Sequence, residues 1–465
     1  MLKNKINYLN PLSLLPLVFS TLLFLYIFYK SEFYYEGKLF SYYLKYYLIS
    51  IIFIFLSFLS FFIKKEVKIK LYLVFVTSLI MLYFIEAYFV INNYYNEQKY
   101  LIKTETSAKN NKFSYRDKLD VYENLIKKGQ KVAVTLPPAF FLSEKNQKIL
   151  ALSGISKTKT IYCNENGYFV IYQSDRFGFN NQDSEWDKTD IEYLLIGDSH
   201  AHGACVSQPN NIAGNLQKKI NKEKGVINLG YSANGPLMEL ATLREYLPLI
   251  KVQRILWIYY PNDIFDLRFG LKNKILSNYL NNKKYSQKLH LKQNELDKNL
   301  NQKLLKEVKF QKKFGEQTKL KKFIKLTNLR KMTIEYEDTI TTTRINPKDI
   351  DLVVKKFQQT LSYANDFANQ NNSKLYFVYL PSYPSFSQER STEKIMIGLQ
   401  RYKEIIKIVN DLDIPLIDVN KEFQNFKNPL ELWPNAMIKN RHLNELGYKK
   451  TTDIIFKKIL EFENY

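Results

Sequence analysis

"YLLIGDSHAHG", residues 193–203, is the stretch on which the reading of this chain turns. A run of apolar residues stops at Gly197, and an aspartate, a serine and a histidine follow at once. A short apolar run bounded by a turn residue reads as a buried strand. Whether Ser199 is then a nucleophile or a turn serine depends on what stands at the ends of the neighbouring strands.

Those strands are legible on either side. "IEYLLIGDS" is followed by "NNIAGNLQKKINKEKG", a helix expected to close at Gly225. "VINLGYS" is a second strand, "PLMELATLREYLPLI" a helix, and "QRILWIYYPND" a third strand. A mostly helical insertion runs from about 264 to 372. "KLYFVYLPS" and "IPLIDVN" are a fourth and a fifth strand, with the helix "LQRYKEIIKIVNDLD" between them. An amphipathic helix, "LNELGYKKTTDIIFKKILEFE", ends the chain. Strands that alternate with helices imply an α/β domain, residues 191–465, with a parallel sheet between two helical layers in flavodoxin-like fashion. In such sheets ligands bind beyond the carboxyl ends of the strands. Those ends carry Gly197, Asp198 and Ser199; then "NLGYSANG" with Gly230, Ala233 and Asn234; then Pro261, Asn262 and Asp263. His442 stands in the last loop, "KNRHLNELGY". A hydroxyl, small residues offering N–H groups, an amide and an imidazole on one rim form the inventory for acyl transfer.

The first hundred residues have another character. Stretches at about 6–29, 46–63 and 71–93 are nearly free of charge, and each approaches the roughly 20 apolar residues that span a bilayer. Residues 1–95 are therefore read as a membrane anchor of three helices. The loop "KKEVKIK" (64–70) is strongly basic, which places it and the N-terminus in the cytoplasm and the chain after about residue 95 outside. Glu86, near the outer end of the third span, is read as reaching the headgroups. The formal net charge of +23 is consequently not taken as a sign of nucleic-acid binding. The basic stretch 283–331 is read as a solvated helical face, with attraction to anionic headgroups or an acidic glycan as the alternative.

Residues 96–190 form a preamble expected to pack on the α/β domain. "KVAVTLPPAFF" reads as a strand and a turn, and "KTIYCNENGYFVIYQSDRFGFNN" as a hairpin turning at "NENG". Cys163 and Cys205 both fall in the outside portion, where a disulfide between them is permitted. Beyond Cys163 this segment shows no chemistry. No metal-ligand spacing or cofactor motif is found.

The four rim blocks resemble those of the SGNH, or GDSL, hydrolase superfamily, in particular its membrane-anchored bacterial members. The resemblance implies Ser199 as nucleophile and His442 as general base. It also implies an oxyanion hole made by the N–H groups of Ser199 and Ala233 and the amide of Asn262, with Asp198 and Gly230 in support. Two positions depart from the pattern. Tyr260 in "YPND" replaces a glycine, and Asn440 stands where an aspartate is usual. Asn440 is expected to orient His442 without a full charge, and Asp418 is a weaker substitute. The implied function is a membrane-anchored, extracytoplasmic (periplasmic) serine esterase or O-acyltransferase. Its partners would be the lipid bilayer and an acyl-ester substrate, most simply acetyl groups on a glycan or lipid, with no nucleic acid and no cofactor. The rival reading is an inactive SGNH-like glycan- or lipid-binding protein.

Overall fold

The computed structural model describes residues 11–34, 40–105, 118–144, 147–166, 168–329, 347–387, 393–434 and 442–464. The chain divides into two compact units, residues 1–96 with 316–344, and residues 97–315 with 345–465.

In the first unit three helices, over Ser13–Tyr34, Tyr43–Phe62 and Lys65–Asn92, are long and apolar enough to cross a membrane. Their outward faces carry leucine, isoleucine and phenylalanine, a surface that water would not tolerate but lipid does. Glu86 does not reach outward as the sequence suggested. It is fully buried, and its carboxylate accepts from the Asn328 backbone N–H and side-chain amide, at 3.0 and 2.9 Å, and from the Leu329 N–H at 2.8 Å. A carboxyl group away from water needs such donors, and the chain 242 residues onward supplies them.

The second unit is built on a five-stranded, all-parallel sheet: β4 (Ile191–Gly197), β5 (Gly225–Asn228), β6 (Val252–Tyr259), β7 (Lys374–Tyr379) and β8 (Leu416–Asp418). Their order is β5-β4-β6-β7-β8, so the chain reverses its direction of travel across the sheet beside β4. That is the switch point at which the ends of adjacent strands open a crevice.

The strands read as unbroken apolar runs because both faces are covered. Side chains alternate between faces, and the two cores follow this period. Leu194 and Ile196 of β4, Ile255, Trp257 and Tyr259 of β6, and Phe377 and Tyr379 of β7 enter one core. Tyr193 and Leu195, Leu256 and Ile258, and Tyr376 and Val378 enter the other. Helices Pro236–Tyr246, Pro347–Gln370 and Tyr402–Asp411 pack on the first face. Ile212–Gln217 and the terminal helix Glu445–Glu463 pack on the second.

Two boundaries differ from the sequence reading. The helix Ile212–Gln217 is shorter than the sequence suggested, and Gly225 opens β5 instead of closing a helix. A Cβ there would lie 2.4 Å from Ile191 Cδ1. Helix Pro347–Gln370, assigned from sequence to the insertion, is a crossover helix of the sheet. It buries Phe357, Leu361, Ala364 and Ala368 directly before β7.

The preamble adds a small sheet in which β1 (Val132–Val134) lies parallel to β2 (Lys159–Ile161), and β2 pairs antiparallel with β3 (Ile171–Gln173). The expected hairpin is β2–β3, continued by Tyr162 and Val170 N–H bonds. Val121, Leu125, Val132 and Ile161 share a third core with Leu300 and Leu304 of helix Gln293–Ile324. This sheet positions the loop between β2 and β3.

Candidate active site

Strand β4 ends in a sharp turn. A Cβ on Gly197 would lie 2.7 Å from the Ile258 carbonyl oxygen, and one on Gly230 would lie 2.4 Å from Ala201 Cβ. Glycine at both positions lets the short helix Ser199–His202 sit between β5 and β6. Asp198 caps that helix by accepting from the His200 N–H at 2.8 Å. The turn leaves Ser199 at the rim, half-open, as its first residue.

Ser199 Oγ lies 2.8 Å from His442 Nε2 across 243 residues of chain. On the other side of the imidazole, Nδ1 lies 2.8 Å from Glu165 Oε1. The second carboxylate oxygen of Glu165 accepts from the His442 backbone N–H, also at 2.8 Å. A carboxylate is an acceptor only, so Nδ1 carries the proton and the Nε2 lone pair faces the serine. This is the tautomer a general base requires. Burial acts to lower the His442 pKa, but the Glu165 charge and hydrogen bond, with Asp198 behind them, outweigh it. The net shift is upward.

The acid therefore stands where the sequence reading saw no chemistry. Glu165 lies in the "NENG" turn of the preamble, two residues after Cys163. The disulfide Cys163–Cys205 ties that turn to the segment following Ser199. Asn166 adds a second tie, donating to the Cys205 carbonyl at 2.8 Å. Asn440 lies outside the described residues, and the position it was expected to fill beside Nδ1 belongs to Glu165. Asp418 takes no part: it accepts from the Tyr402 hydroxyl and the Lys421 N–H.

The expected oxyanion donors come together around a cavity of 440 Å³ lined by Asp198, Ser199, Ala233 and Asn262, among others. Ala233 has φ +60°, a conformation that costs alanine about 1 kcal/mol or more relative to glycine. Its turn is held from behind by His202. Ser232 N–H donates to His202 Nδ1 at 3.3 Å, while His202 Nε2 meets the Tyr172 hydroxyl at 3.0 Å. The His202 ring is stacked between Tyr162 and Tyr231, at 4.2 and 4.7 Å. Burial first, then the charge of His442, lowers its pKa to about 3, so it stays neutral and can accept the hydrogen bond from the Ser232 N–H. Both ring nitrogens of His202 are thus engaged away from Ser199, by Ser232 and Tyr172.

Asn262 donates to Asp266 at 2.7 Å, and Asp266 is within 3.5 Å of Lys394 Nζ. All three residues line the cavity. Asp263 orders the loop by accepting from Tyr260 N–H at 3.0 Å. Tyr260, in place of the usual glycine, is buried and stacks on His200 at 3.9 Å. His200 in turn lies 4.7 Å from the His442 ring. Asp198, Glu239, Asp263 and Asp266 would oppose an oxyanion if all were charged. Burial pushes each of them up, Asp198 to about 6, toward the neutral form.

No protein-family model matches the chain, and no curated protein matches it. Among solved structures it is similar to a lipolytic protein of the G-D-S-L family from Desulfitobacterium hafniense. The identity is 11%, over 58% of this chain and 99% of that one, at a TM-score of 0.31. It is similar also to a lipase/acylhydrolase from Enterococcus faecalis (12%, 58% and 95%, 0.32) and to an acetyl xylan esterase (12%, 57% and 98%, 0.32). In its own strand order and direction, and in the strand ends at which Ser199, Ala233 and Asn262 stand, the α/β domain has the three-layer SGNH-type fold that its motifs imply.

Proposed function

We propose that this protein is a membrane-anchored serine esterase or O-acyltransferase, acting outside the cytoplasm on acyl groups, most simply acetyl, ester-linked to a glycan. The observation that carries the reading is the relay Ser199–His442–Glu165, with both links at 2.8 Å. Ser199 Oγ attacks the ester carbonyl as His442 Nε2 takes its proton. Glu165 holds Nδ1–H and stabilises the imidazolium. The tetrahedral oxyanion is met by the N–H groups of Ser199 and Ala233 and by the Asn262 amide. Collapse expels the alcohol, which receives the proton from Nε2, and leaves an acyl group on Ser199. Water, or a sugar hydroxyl in a transferase, then gives its proton to His442 and attacks the acyl-enzyme. The bond from the acyl carbon to Ser199 Oγ breaks, Oγ takes the proton back from Nε2, and the acid or the new ester leaves.

The apolar N-terminal helices support anchoring, and the basic loop 64–70 supports a cytoplasmic N-terminus in a bacterial inner membrane. The disulfide is in keeping with an oxidising compartment on the other side. The rival reading, an inactive binding protein, drew on the missing acid, Tyr260 and Ala233. The carboxylate of Glu165 beside His442 speaks against the first, while Tyr260 and Ala233 remain departures from the pattern. Labelling of the full chain by a fluorophosphonate probe tests the proposal. Wild type should label and Ser199→Ala should not. A folded wild type that stays unlabelled and does not hydrolyse p-nitrophenyl acetate sinks it.

A further inference from the structure

Beside the Ser199 cavity lies a second depression of 1090 Å³, more than twice its size. Its walls come from outside the five-stranded core: residues 118–151 of the preamble on one side, and residues 295–311 of helix Gln293–Ile324 on the other. The two spaces meet at Phe140, which lines both and is 70% exposed. A large aromatic ring presented to solvent at such a junction offers a flat face for a ligand lying across it.

The chemistry of the walls selects the ligand. An acyl tail needs a continuous apolar lining. Here apolar side chains such as Leu136, Ile149 and Val308 are interrupted by the amides Gln147, Asn299, Gln302 and Gln311. Gln147 and Gln311 are partly engaged by Asn273 and Glu307, so recognition falls to Asn299 and Gln302, each a donor and an acceptor together. Charges of both signs are interspersed, and Lys303 is paired with Glu144 at 2.7 Å. Lys303 also covers the Phe141 ring at 3.8 Å, so Phe140 is the open platform. Amides beside an exposed aromatic face suit a chain of sugar rings: hydroxyls bond to the amides, and the C–H face of a ring lies on the phenyl. The mixed charge favours a neutral chain over a polyanion.

We propose that this groove is a binding site for an oligosaccharide of several rings, which crosses Phe140 to bring an acylated ring to Ser199. The proposal rests on the esterase reading above and adds the length and chemistry of the substrate. The preamble and the insertion then have a common role, as the two banks of the groove.

The test uses the full chain in detergent with p-nitrophenyl acetate, p-nitrophenyl laurate, and O-acetylated glucose, maltohexaose, cellohexaose and chitohexaose. At least one hexasaccharide should exceed acetylated glucose in kcat/KM by about tenfold or more, the effect of one or two added hydrogen bonds. Phe140→Ala, and separately the double variant Asn299→Ala with Gln302→Ala, should each bring that ratio down toward one. If p-nitrophenyl acetate is hydrolysed but no hexasaccharide gains over the monosaccharide, the groove proposal is overturned and the esterase reading stands. If the variants instead change selectivity between laurate and acetate, the groove takes an acyl chain and the proposal is wrong. If the folded wild type cleaves none of the esters and stays unlabelled by the fluorophosphonate probe, the esterase reading itself has failed.

Discussion

Glu165→Gln is the substitution that weighs most on this account. Wild-type Glu165 accepts twice from His442, from Nδ1–H and from the backbone N–H, each at 2.8 Å. A glutamine offers one acceptor oxygen and one amide nitrogen. Whichever way it turns, an NH2 faces an N–H, or Nδ1 must give up its proton and Nε2 its lone pair. The charge is lost as well. Opposite unit charges about 4 Å apart, at an effective dielectric near 20, attract by about 4 kcal/mol. The imidazolium forms only on the way to the transition state, so the loss falls on kcat. About 4 kcal/mol corresponds to nearly a thousand-fold, at one decade per roughly 1.4 kcal/mol. The assay is steady-state hydrolysis of p-nitrophenyl acetate, with circular dichroism to establish that the variant is folded. The pH profile gives a second reading. Catalysis needs neutral His442, so activity rises as pH climbs through a pKa held above the ordinary histidine value. Removing the carboxylate should move that limb to lower pH. Glu165→Asp, which keeps the charge on a shorter arm, should fall between. A folded Glu165→Gln variant within tenfold of wild-type kcat, its acid limb unmoved, would refute the assignment of the third member of the relay.

Two other outcomes follow from the same geometry. Ala233→Gly relieves a left-handed alanine, while glycine's greater freedom in the unfolded chain offsets part of the gain. A net stabilisation of up to about 1 kcal/mol is expected, with activity kept or raised, read by thermal melting and esterase rate. Replacing Cys163 and Cys205 by alanine opens a 42-residue loop, which the chain-entropy relation values at about 4 kcal/mol. Because the bridge also holds the Glu165 turn, kcat should fall and the acid limb should shift as it does in Glu165→Gln. A loss of stability with an unchanged pH profile would leave the bridge with a purely structural role.

Much of the fold is legible in one dimension because its causes are local or periodic. The strands of the main sheet are apolar runs, since both faces of each are covered, and the turns after β4 and β5 carry the glycines that close approach demands. Ser199 and His442 were singled out by their places at the rim and by the resemblance of the short blocks that hold them. Glu165 was not. It sits 277 residues from His442, in a hairpin whose β-pairing says nothing of where its tip will point. Its one sequence signal is its place two residues after a cysteine, whose bridge to Cys205 brings it near Ser199. Glu86 escaped for the same reason: an acid in an apolar helix looks like a group seeking headgroups until its donors at 328 and 329 are in view.

The residues alone determined the apolar helices and the parallel sheet, for burial and periodicity act between near neighbours, and the resemblance of short blocks pointed to two members of the proposed relay. Tertiary structure decided which carboxylate faces the imidazole, which histidines stay neutral and what surface extends the cleft. Those are matters of charge and contact between segments far apart in the chain, and their strength falls with a distance that only the folded molecule sets.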